Sequence, residues 1–210
     1  NSVIVGIDIH KINIVEKKIN RNNIEVHQGS QSDQTFIQKI ISKYKEFDII
    51  IDDGSHLSKD VKKSFNLLFS TLKDDGLYIV EDIQTSYNHF FGGNPFDLKY
   101  SNSHMNFFKH LTDSLNHQEV ANPFYIKKKY DGKITNISFY HNMVFVRKGI
   151  NDLKSKEVIN NSYEDMKYLE KSSRTGKKFQ YFVKYKIFYK AYTIFLFVFN
   201  AIKKILLLRI

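Results

Sequence analysis

Short apolar runs that alternate with helical patterns are the feature that most constrains the fold of this chain. The runs are VIVGIDI (3–9), IEVHQG (24–29), FDIIID (47–52) and GLYIVED (76–82). Their length and composition favour buried strands. Apolar residues at helical spacing follow the second run over 36–44 and the third run over 61–72. Strands that alternate with helices predict an α/β fold with a parallel sheet.

The helix predicted from the stripe at 61–72 has a candidate start and a candidate end. Ser58 is expected to cap its N-terminus. The sequence DDG (74–76) is expected to end it, with Gly76 in a left-handed position. The fourth strand would then begin at Gly76.

Two regions after the fourth strand depart from this alternation. Residues 83–103 combine turn-forming and aromatic residues without clear periodicity, which is typical of a functional lid or a binding loop. Residues 133–149 are predicted to form two strands with a tight reversal near Tyr140–Asn142. We expect these strands to form an antiparallel pair at the end of the sheet.

Basic charge is concentrated in the C-terminal part of the sequence. Of 32 Lys and Arg residues, ten lie in 171–210 without any acidic residue, which leaves 22 basic and 22 acidic residues in 1–170. The folded body is therefore nearly neutral, and we expect no nucleic-acid binding. The predicted organisation is a domain over 1–150, a linker over 151–178 and a basic aromatic helix over 179–210.

The basic aromatic segment has three open interpretations. Its longest stretch without a charge, 191–202, is shorter than the roughly 20 apolar residues that span a bilayer. Lys and Tyr side chains can reach the headgroups while Phe, Ile and Leu enter the acyl boundary, which favours a membrane surface. A short span and a helix packed on the domain or on a partner are the alternatives.

The chain contains no cysteine, which excludes disulfides and thiolate metal sites. The N-terminal sequence does not have the pattern of a signal peptide. The expected location is the cytoplasm, either free or at the inner face of a membrane. Self-association into a homo-oligomer is left open.

Acidic residues follow the predicted strands at their carboxyl ends, where open parallel sheets bind ligands. Neighbouring strands would bring the pairs 52–53 and 81–82 together, and converging carboxylates repel unless a cation lies among them. Oxygen ligands without cysteine indicate Mg²⁺, Mn²⁺ or Ca²⁺. The alternative is that these acids cap the following helices. The positions are Asp8, Asp52, Asp53, Glu81 and Asp82.

His56 follows Asp53 on the same turn. An imidazole, with an unperturbed pKa of about 6.5, can accept a proton at neutral pH. Beside a metal that lowers the pKa of a bound hydroxyl, it is suited to act as a general base on a sugar or catechol-like OH. A surface or packed histidine is the alternative.

The stretch FDIIIDDGSHLSKDVKKSFNLLFSTLKDDGLYIVEDIQTSY (47–87) closely resembles the metal-dependent sugar O-methyltransferases that use S-adenosylmethionine (SAM) to modify macrolide deoxysugars, the mycinamicin and demethylmacrocin type. Further matching pieces occur in the same order: GIDIHK (6–11), QGSQSD (28–33), HFFGG (89–93) and FYHNMVFVRKG (139–149). The resemblance covers about residues 3–150 and implies a Rossmann-like class I methyltransferase sheet. That sheet is mostly parallel with an antiparallel terminal strand pair.

The resemblance also implies that a piece of the domain precedes this sequence. In the family, a first strand and a glycine-rich loop cradle the methionine part of SAM, and neither is found here. The sequence is expected to begin at the second strand and to be N-terminally truncated.

The resemblance assigns roles residue by residue. The divalent metal would be held by Asp53, Glu81 and Asp82, and His56 would match the general base. Asp8 would bind the SAM ribose, a role with an independent reason because an acid at the end of this strand can accept both ribose hydroxyls. The remaining expected cofactor contacts are Gln31, Ser32, Asp33 and Asp52, and the expected acceptor-pocket residues are Gln84, Thr85 and Tyr87.

The predicted function is SAM-dependent, Mg²⁺- or Mn²⁺-assisted O-methylation of a sugar hydroxyl in a glycan or glycosylated natural product. A related metal-dependent enzyme acting on another small-molecule hydroxyl is one alternative. The other is a non-catalytic methyltransferase remnant that binds a membrane or a partner.

Overall fold

The structure is a computed structural model. It describes residues 2–10, 23–120, 124–152, 194–195 and 197–198. The chain divides into two compact units, 1–117 with 127–153 and 118–126 with 154–210. The sheets and all site residues discussed below belong to the first unit.

The predicted linker (151–178) and basic aromatic helix (179–210) lie outside the described residues, except for 151–152, 194–195 and 197–198. Membrane association through 179–210 therefore stays a prediction. Among the residues that the structure describes, no helix combines the length and the apolar character that crossing a bilayer requires.

The described strands form two sheets. Strand β1 (Ile4–Asp8) pairs in parallel with β2 (Ile24–Gln28). The second sheet contains β3 (Phe47–Asp52), β4 (Leu72–Val80), β5 (Ile134–Tyr140) and β6 (Met143–Lys148), in the order β3-β4-β6-β5. Strands β3 and β4 are parallel, whereas β6 is antiparallel to both β4 and β5. The predicted α/β fold with an antiparallel strand pair at the end of the sheet is confirmed, but the described four-stranded sheet is mixed rather than mostly parallel.

Three α-helices accompany the sheets in the described part of the chain: α1 (Gln34–Tyr44), α2 (Ser58–Leu68) and α3 (His104–Leu115). Helix α1 begins after Asp33, whose carboxylate accepts hydrogen bonds from the backbone N–H groups of Thr35 and Phe36. Short 3-10 helices cover Phe69–Thr71, Ile83–Tyr87, His89–Phe91 and His117–Glu119.

The predicted boundaries of α2 are wrong at both ends. Ser58 is the first helical residue and Leu57 occupies the cap position, because the Ser58 hydroxyl is buried against His104 Nδ1 at 2.9 Å. The helix ends at Leu68, and β4 runs from Leu72 through Gly76. The left-handed conformation expected at Gly76 occurs instead at Asp75, whose φ is 65°. Leu72 pairs with Phe47 at the start of β3, so strand pairing overrides the helical spacing of this residue.

An aromatic cluster packs α2 and α3 against one face of the larger sheet. Phe65 of α2 is fully buried at its centre. Its ring centroid lies 4.8 Å from that of Phe69, 4.8 Å from that of Tyr78 and 5.2 Å from that of Phe108. Edge-to-face and offset ring contacts at these separations add to the free energy gained from burial.

A cavity of about 560 Å³ is lined by residues of both β1 and β3. In the described ranges β1 pairs only with β2, and β3 pairs within its sheet only with β4. Ile37 and Ile40 of α1 line the apolar part of the cavity, while Asp8 and residues 52–55 line it at the carboxyl ends of the strands. The cavity therefore joins the two sheets at the edge where the acidic residues emerge.

Candidate active site

Three side chains converge just beyond β3 and β4. One potential ligand atom from each of Asp53, His56 and Asp82 lies within 4.8 Å of the others. The Nε2 atom of His56 is 3.6 Å from Oδ2 of Asp82 and 4.0 Å from Oδ1 of Asp53. Two carboxylates and one imidazole at these separations can hold a divalent cation such as Mg²⁺ or Mn²⁺.

The parallel register of the two strands explains this convergence. Asp52 pairs with Val80, and the N–H of Glu81 donates to the carbonyl of Asp52 at 3.0 Å. The chain therefore leaves both strands side by side, and the next acidic residues emerge at the same place. Glu81 is partly buried beside the group, but its carboxylate is not among the three that converge.

Two residues of the cluster have an uncommon backbone conformation. His56 has a φ of 55° and Asp82 a φ of 51°. Non-glycine residues in the left-handed region are uncommon, and they concentrate at functional sites where the surrounding structure holds them. In both turns this conformation occurs at a residue whose side chain joins the cluster.

Asp52 is held by contacts inside the protein. Its carboxylate is 6% exposed. It accepts hydrogen bonds from Gln31 Nε2 at 2.7 Å and from the Tyr78 hydroxyl at 3.1 Å. Burial raises the pKa of Asp52, while the hydrogen bonds it accepts work in the opposite direction. These contacts indicate that Asp52 orders the turn after β3, and its expected contact with SAM stays a prediction.

Gln31 links the turn after β2 to the turn after β3. Its Nε2 donates to Asp52, and its Oε1 accepts from the backbone N–H of Ser55 at 2.8 Å. The side chain lies so close to Gly54 that a Cβ there would fall 1.6 Å from Oε1. The amide expected to contact SAM is therefore engaged within the protein.

Of the other expected cofactor residues, Asp8 lines the cavity, whereas Ser32 and Asp33 are not among its lining residues. Asp8 lines the cavity at the end of β1, and its Oδ1 accepts from the N–H of His10 at 2.7 Å. The Ser32 hydroxyl lies 3.2 Å from that of Ser30. Asp33 caps helix α1 through its side chain.

The expected acceptor-pocket residues follow Asp82 in the chain. Gln84 Nε2 donates to Asp82 Oδ1 at 3.0 Å, and Tyr87 is 40% exposed. The Thr85 hydroxyl lies 2.8 Å from the Asp82 carbonyl and 3.2 Å from the His56 carbonyl. Thr85 therefore contacts the backbone of the metal-site turns through its polar group.

Two curated relatives of this chain are named as O-methyltransferases. No family model matches the chain. It is 37% identical over 146 residues to mycinamicin VI 2''-O-methyltransferase of Micromonospora griseorubida, an alignment that covers 69% of this chain and 37% of that protein. It is 35% identical over 150 residues to demethylmacrocin O-methyltransferase of Streptomyces fradiae, covering 71% of this chain and 37% of that protein.

A solved structure of the MycE methyltransferase from the mycinamycin biosynthetic pathway, with Mg and SAH, matches with a TM-score of 0.69. The identity is 33%, over 81% of this chain and 43% of that chain. The chain is a homologue of these macrolide-sugar O-methyltransferases. A second MycE structure, which also contains mycinamycin VI, matches with a TM-score of 0.67 at 34% identity, over 81% of this chain and 42% of that chain.

This homologue of the macrolide-sugar O-methyltransferases spans about 37% of the length of the two curated relatives above. Its α/β methyltransferase fold, with parallel and antiparallel strands in one sheet, is like that of MycE.

One buried residue of the methyltransferase homologue, His104, was not predicted from the sequence to have a role at the site. His104 is fully buried behind the cluster. Burial, reinforced by the nearby charges of His56 and Lys62, lowers its pKa to about 4. The available signal is its helical spacing with Phe108 and Leu111, which indicates an inward-facing position but not a hydrogen-bonding role.

Proposed function

We propose that this domain catalyses SAM-dependent, Mg²⁺- or Mn²⁺-assisted O-methylation of a sugar hydroxyl in a glycan or glycosylated natural product. The observation that carries the proposal is the convergence of Asp53, His56 and Asp82 at the edge of the sheet. That edge also opens onto the cavity lined by β1 and β3. The relatives named as mycinamicin VI 2''-O-methyltransferase and demethylmacrocin O-methyltransferase support the same type of reaction.

The donor set fits a hard divalent cation. Asp53 and Asp82 would hold the cation through their carboxylates, and Glu81 stays a predicted third ligand because it adjoins Asp82 in the chain. A bound divalent cation supplies Lewis-acid polarisation of the acceptor hydroxyl and lowers its pKa. The half-exposed carboxylates of Asp53 and Asp82 leave the cluster open to an acceptor.

His56 is the residue that we assign as general base. Its side chain is 23% exposed, and its Nε2 faces the Asp82 and Asp53 carboxylates. A neutral imidazole in this place can accept the proton of an acceptor hydroxyl held at the cluster. The two carboxylates would then stabilise the imidazolium that forms.

The cavity lined by β1 and β3 is the proposed place for the methyl donor. Its volume of about 560 Å³ lies within the range of about 300–1,000 Å³ that is usual for small-molecule sites. Asp8 would accept hydrogen bonds from the ribose hydroxyls at the end of β1. SAM supplies the methyl group when it is bound, and the nearby turn at 30–33 would contact its adenine end.

The acceptor would lie on the side of the cluster formed by the residues after Asp82. Gln84 contacts the Asp82 carboxylate and can orient it. The half-exposed ring of Tyr87 offers an apolar surface for a sugar. The position of the methylated hydroxyl on the sugar would follow from these contacts.

Calorimetry and a transfer assay test the proposal together. SAM is titrated into the 210-residue chain with Mg²⁺ and with a chelator, and transfer of a labelled methyl group to a macrolide deoxysugar glycoside is measured. We expect SAM binding and a transfer rate that falls to background with the chelator. Asp8→Asn should weaken SAM binding, whereas Asp97→Asn, at an exposed acid of the loop at 92–103, should not.

Absence of SAM binding under both conditions would contradict the enzymatic proposal. It would favour a non-catalytic methyltransferase remnant. Binding of SAM with a transfer rate insensitive to the chelator would contradict the metal-assisted part alone.

A further inference from the structure

A single hydroxyl connects the two turns that form the metal cluster. The Oγ1 atom of Thr85 lies 2.8 Å from the carbonyl oxygen of Asp82 and 3.2 Å from that of His56. These carbonyls belong to the two cluster residues that have a left-handed backbone. The Thr85 hydroxyl is therefore placed to hold the turn after β3 against the turn after β4.

Behind Thr85 lies a buried histidine that can orient this hydroxyl. The Nε2 atom of His104 is 3.5 Å from Thr85 Oγ1, at the long end of hydrogen-bond range. Its Nδ1 atom is 2.9 Å from the Ser58 hydroxyl, and both His104 and Ser58 are buried. The three side chains form a continuous line from the start of α2 to the cluster.

The hydrogen-bonding roles along this line are mutually consistent. If Ser58 donates to Nδ1 of His104, the histidine carries its proton on Nε2 and can donate it to Thr85. The Thr85 hydroxyl then directs its own proton toward the two backbone carbonyls. Burial lowers the pKa of His104 to about 4, so the neutral form that this arrangement needs is the stable one at neutral pH.

We propose that Thr85 and His104 are positioning residues that hold the turn carrying Asp53 and His56 against the turn carrying Asp82, and thereby set the affinity of the two carboxylates for a divalent metal. The inference rests on the proposed function, since it assigns the cluster a metal. Both side chains would act through the backbone of the two turns, and the hydroxyl of Thr85, which was expected in the acceptor pocket, is engaged by the His56 and Asp82 carbonyls. Groups that orient metal ligands from behind typically change metal affinity by about 10–100-fold when they are removed.

Thr85 offers a matched pair of substitutions. Thr85→Val keeps the shape and removes the hydroxyl, whereas Thr85→Ser keeps the hydroxyl. Titration with Mn²⁺, followed by electron paramagnetic resonance, measures metal affinity without the methyl donor or an acceptor. We expect Thr85→Val to weaken Mn²⁺ binding by about 10-fold or more, and Thr85→Ser to remain within about twofold of the unmodified protein.

His104 offers a second pair. The amide of Asn can occupy the place of Nδ1 and keep the bond to Ser58, while the amide of Gln can reach the place of Nε2 and the hydroxyl of Thr85. His104→Gln should therefore retain more Mn²⁺ affinity than His104→Asn. Thermal melting of each variant checks that the compared proteins are folded.

Hydrogen–deuterium exchange in the metal-free protein separates this inference from the proposed function. Thr85→Val should speed amide exchange in both turns, 53–57 and 82–86, and leave the β5–β6 hairpin unchanged. If the unmodified protein bound no Mn²⁺, the metal proposal would fail, and the exchange result alone would decide whether Thr85 couples the turns. Unchanged Mn²⁺ affinity in Thr85→Val, equal losses in Thr85→Val and Thr85→Ser, or unchanged exchange in both turns would overturn the positioning role.

Discussion

The Nε2 atom of His56 lies 3.6 Å from Oδ2 of Asp82, across the gap between the turns that follow two neighbouring parallel strands. This contact depends on the register that sets Asp52 opposite Val80. Each of the two residues is placed by the left-handed backbone of its own turn. The candidate base and a candidate metal ligand are thus positioned by the sheet itself rather than by a long flexible loop.

Replacement of His56 by Ala should separate chemistry from cofactor binding. We expect the methyl-transfer rate to fall by about 10²–10⁴-fold, because the acceptor hydroxyl loses its proton acceptor. SAM affinity should stay close to that of the unmodified protein. His110→Ala, at an exposed position of α3, serves as the control. Equal methyl-transfer rates for the two variants would show that His56 is not the general base.

His104 should make the stability of the domain depend on pH. Its pKa falls from 6.5 in the unfolded chain to about 4 in the folded protein, so the unfolded state binds more protons between these values. The stability it contributes is fully present above pH 6.5 and is lost as the pH falls toward 4.

From this shift, His104 should lower the free energy of unfolding by about 2 kcal/mol between about pH 7.5 and pH 5. Urea unfolding of His104→Gln at both pH values should show a correspondingly smaller decrease. His110→Gln should retain the decrease of the unmodified protein. A decrease in His104→Gln as large as in the unmodified protein would show that other groups cause it.

Gly54→Ala should disturb the link between Gln31 and the turn after β3. The added Cβ would fall 1.6 Å from Gln31 Oε1, so the amide must move away from Asp52 and from the N–H of Ser55. Leaving these partners unpaired should destabilise the domain by about 1–3 kcal/mol, measured by urea unfolding.

Gly6→Ala is the matched control for Gly54→Ala, since the nearest atom to its added Cβ is a Val26 methyl at 3.5 Å. Its stability should stay within about 0.5 kcal/mol of the unmodified protein or rise slightly, because Ala suits a strand better than Gly. Equal stability of both variants would mean that Gln31 does not hold the turn.

Phe65→Ala should cost more stability than any change at an exposed aromatic residue. Phe65 is fully buried among other rings, whereas Phe90 is 77% exposed. A cavity at the centre of the cluster should lower the free energy of unfolding by about 3–5 kcal/mol. Phe90→Ala should change it by about 0.5 kcal/mol or less, and a similar loss in both variants would contradict the assigned core.

Local and periodic patterns in the sequence predict the corresponding parts of the structure correctly. The run at 47–52 predicts β3 with its exact bounds, and the reversal near Tyr140–Asn142 is confirmed by the β5–β6 hairpin. Acids that end neighbouring parallel strands must lie close together, so the convergence of Asp53 and Asp82 was also predictable. The same reasoning placed His56 beside them.

Contacts between distant parts of the chain could not be predicted in this way. Serine is a common helix cap, yet the Ser58 hydroxyl forms a hydrogen bond with Nδ1 of His104, 46 positions away. Gln31 reaches Asp52 across 21 positions, and nothing in either local sequence indicates the pairing. Such contacts are set by packing, which a periodic pattern does not encode.

Calorimetric titration of Mg²⁺ decides whether Asp53 and Asp82 hold a metal. The unmodified chain should bind one Mg²⁺. Asp53→Asn and Asp82→Asn should each weaken binding by about 10-fold or more, because each variant removes a carboxylate charge and ligand. Asp74→Asn, at an exposed acid of β4, should bind like the unmodified chain. Absence of Mg²⁺ binding to the unmodified chain, or equal affinity in all variants, would contradict a metal site held by Asp53 and Asp82.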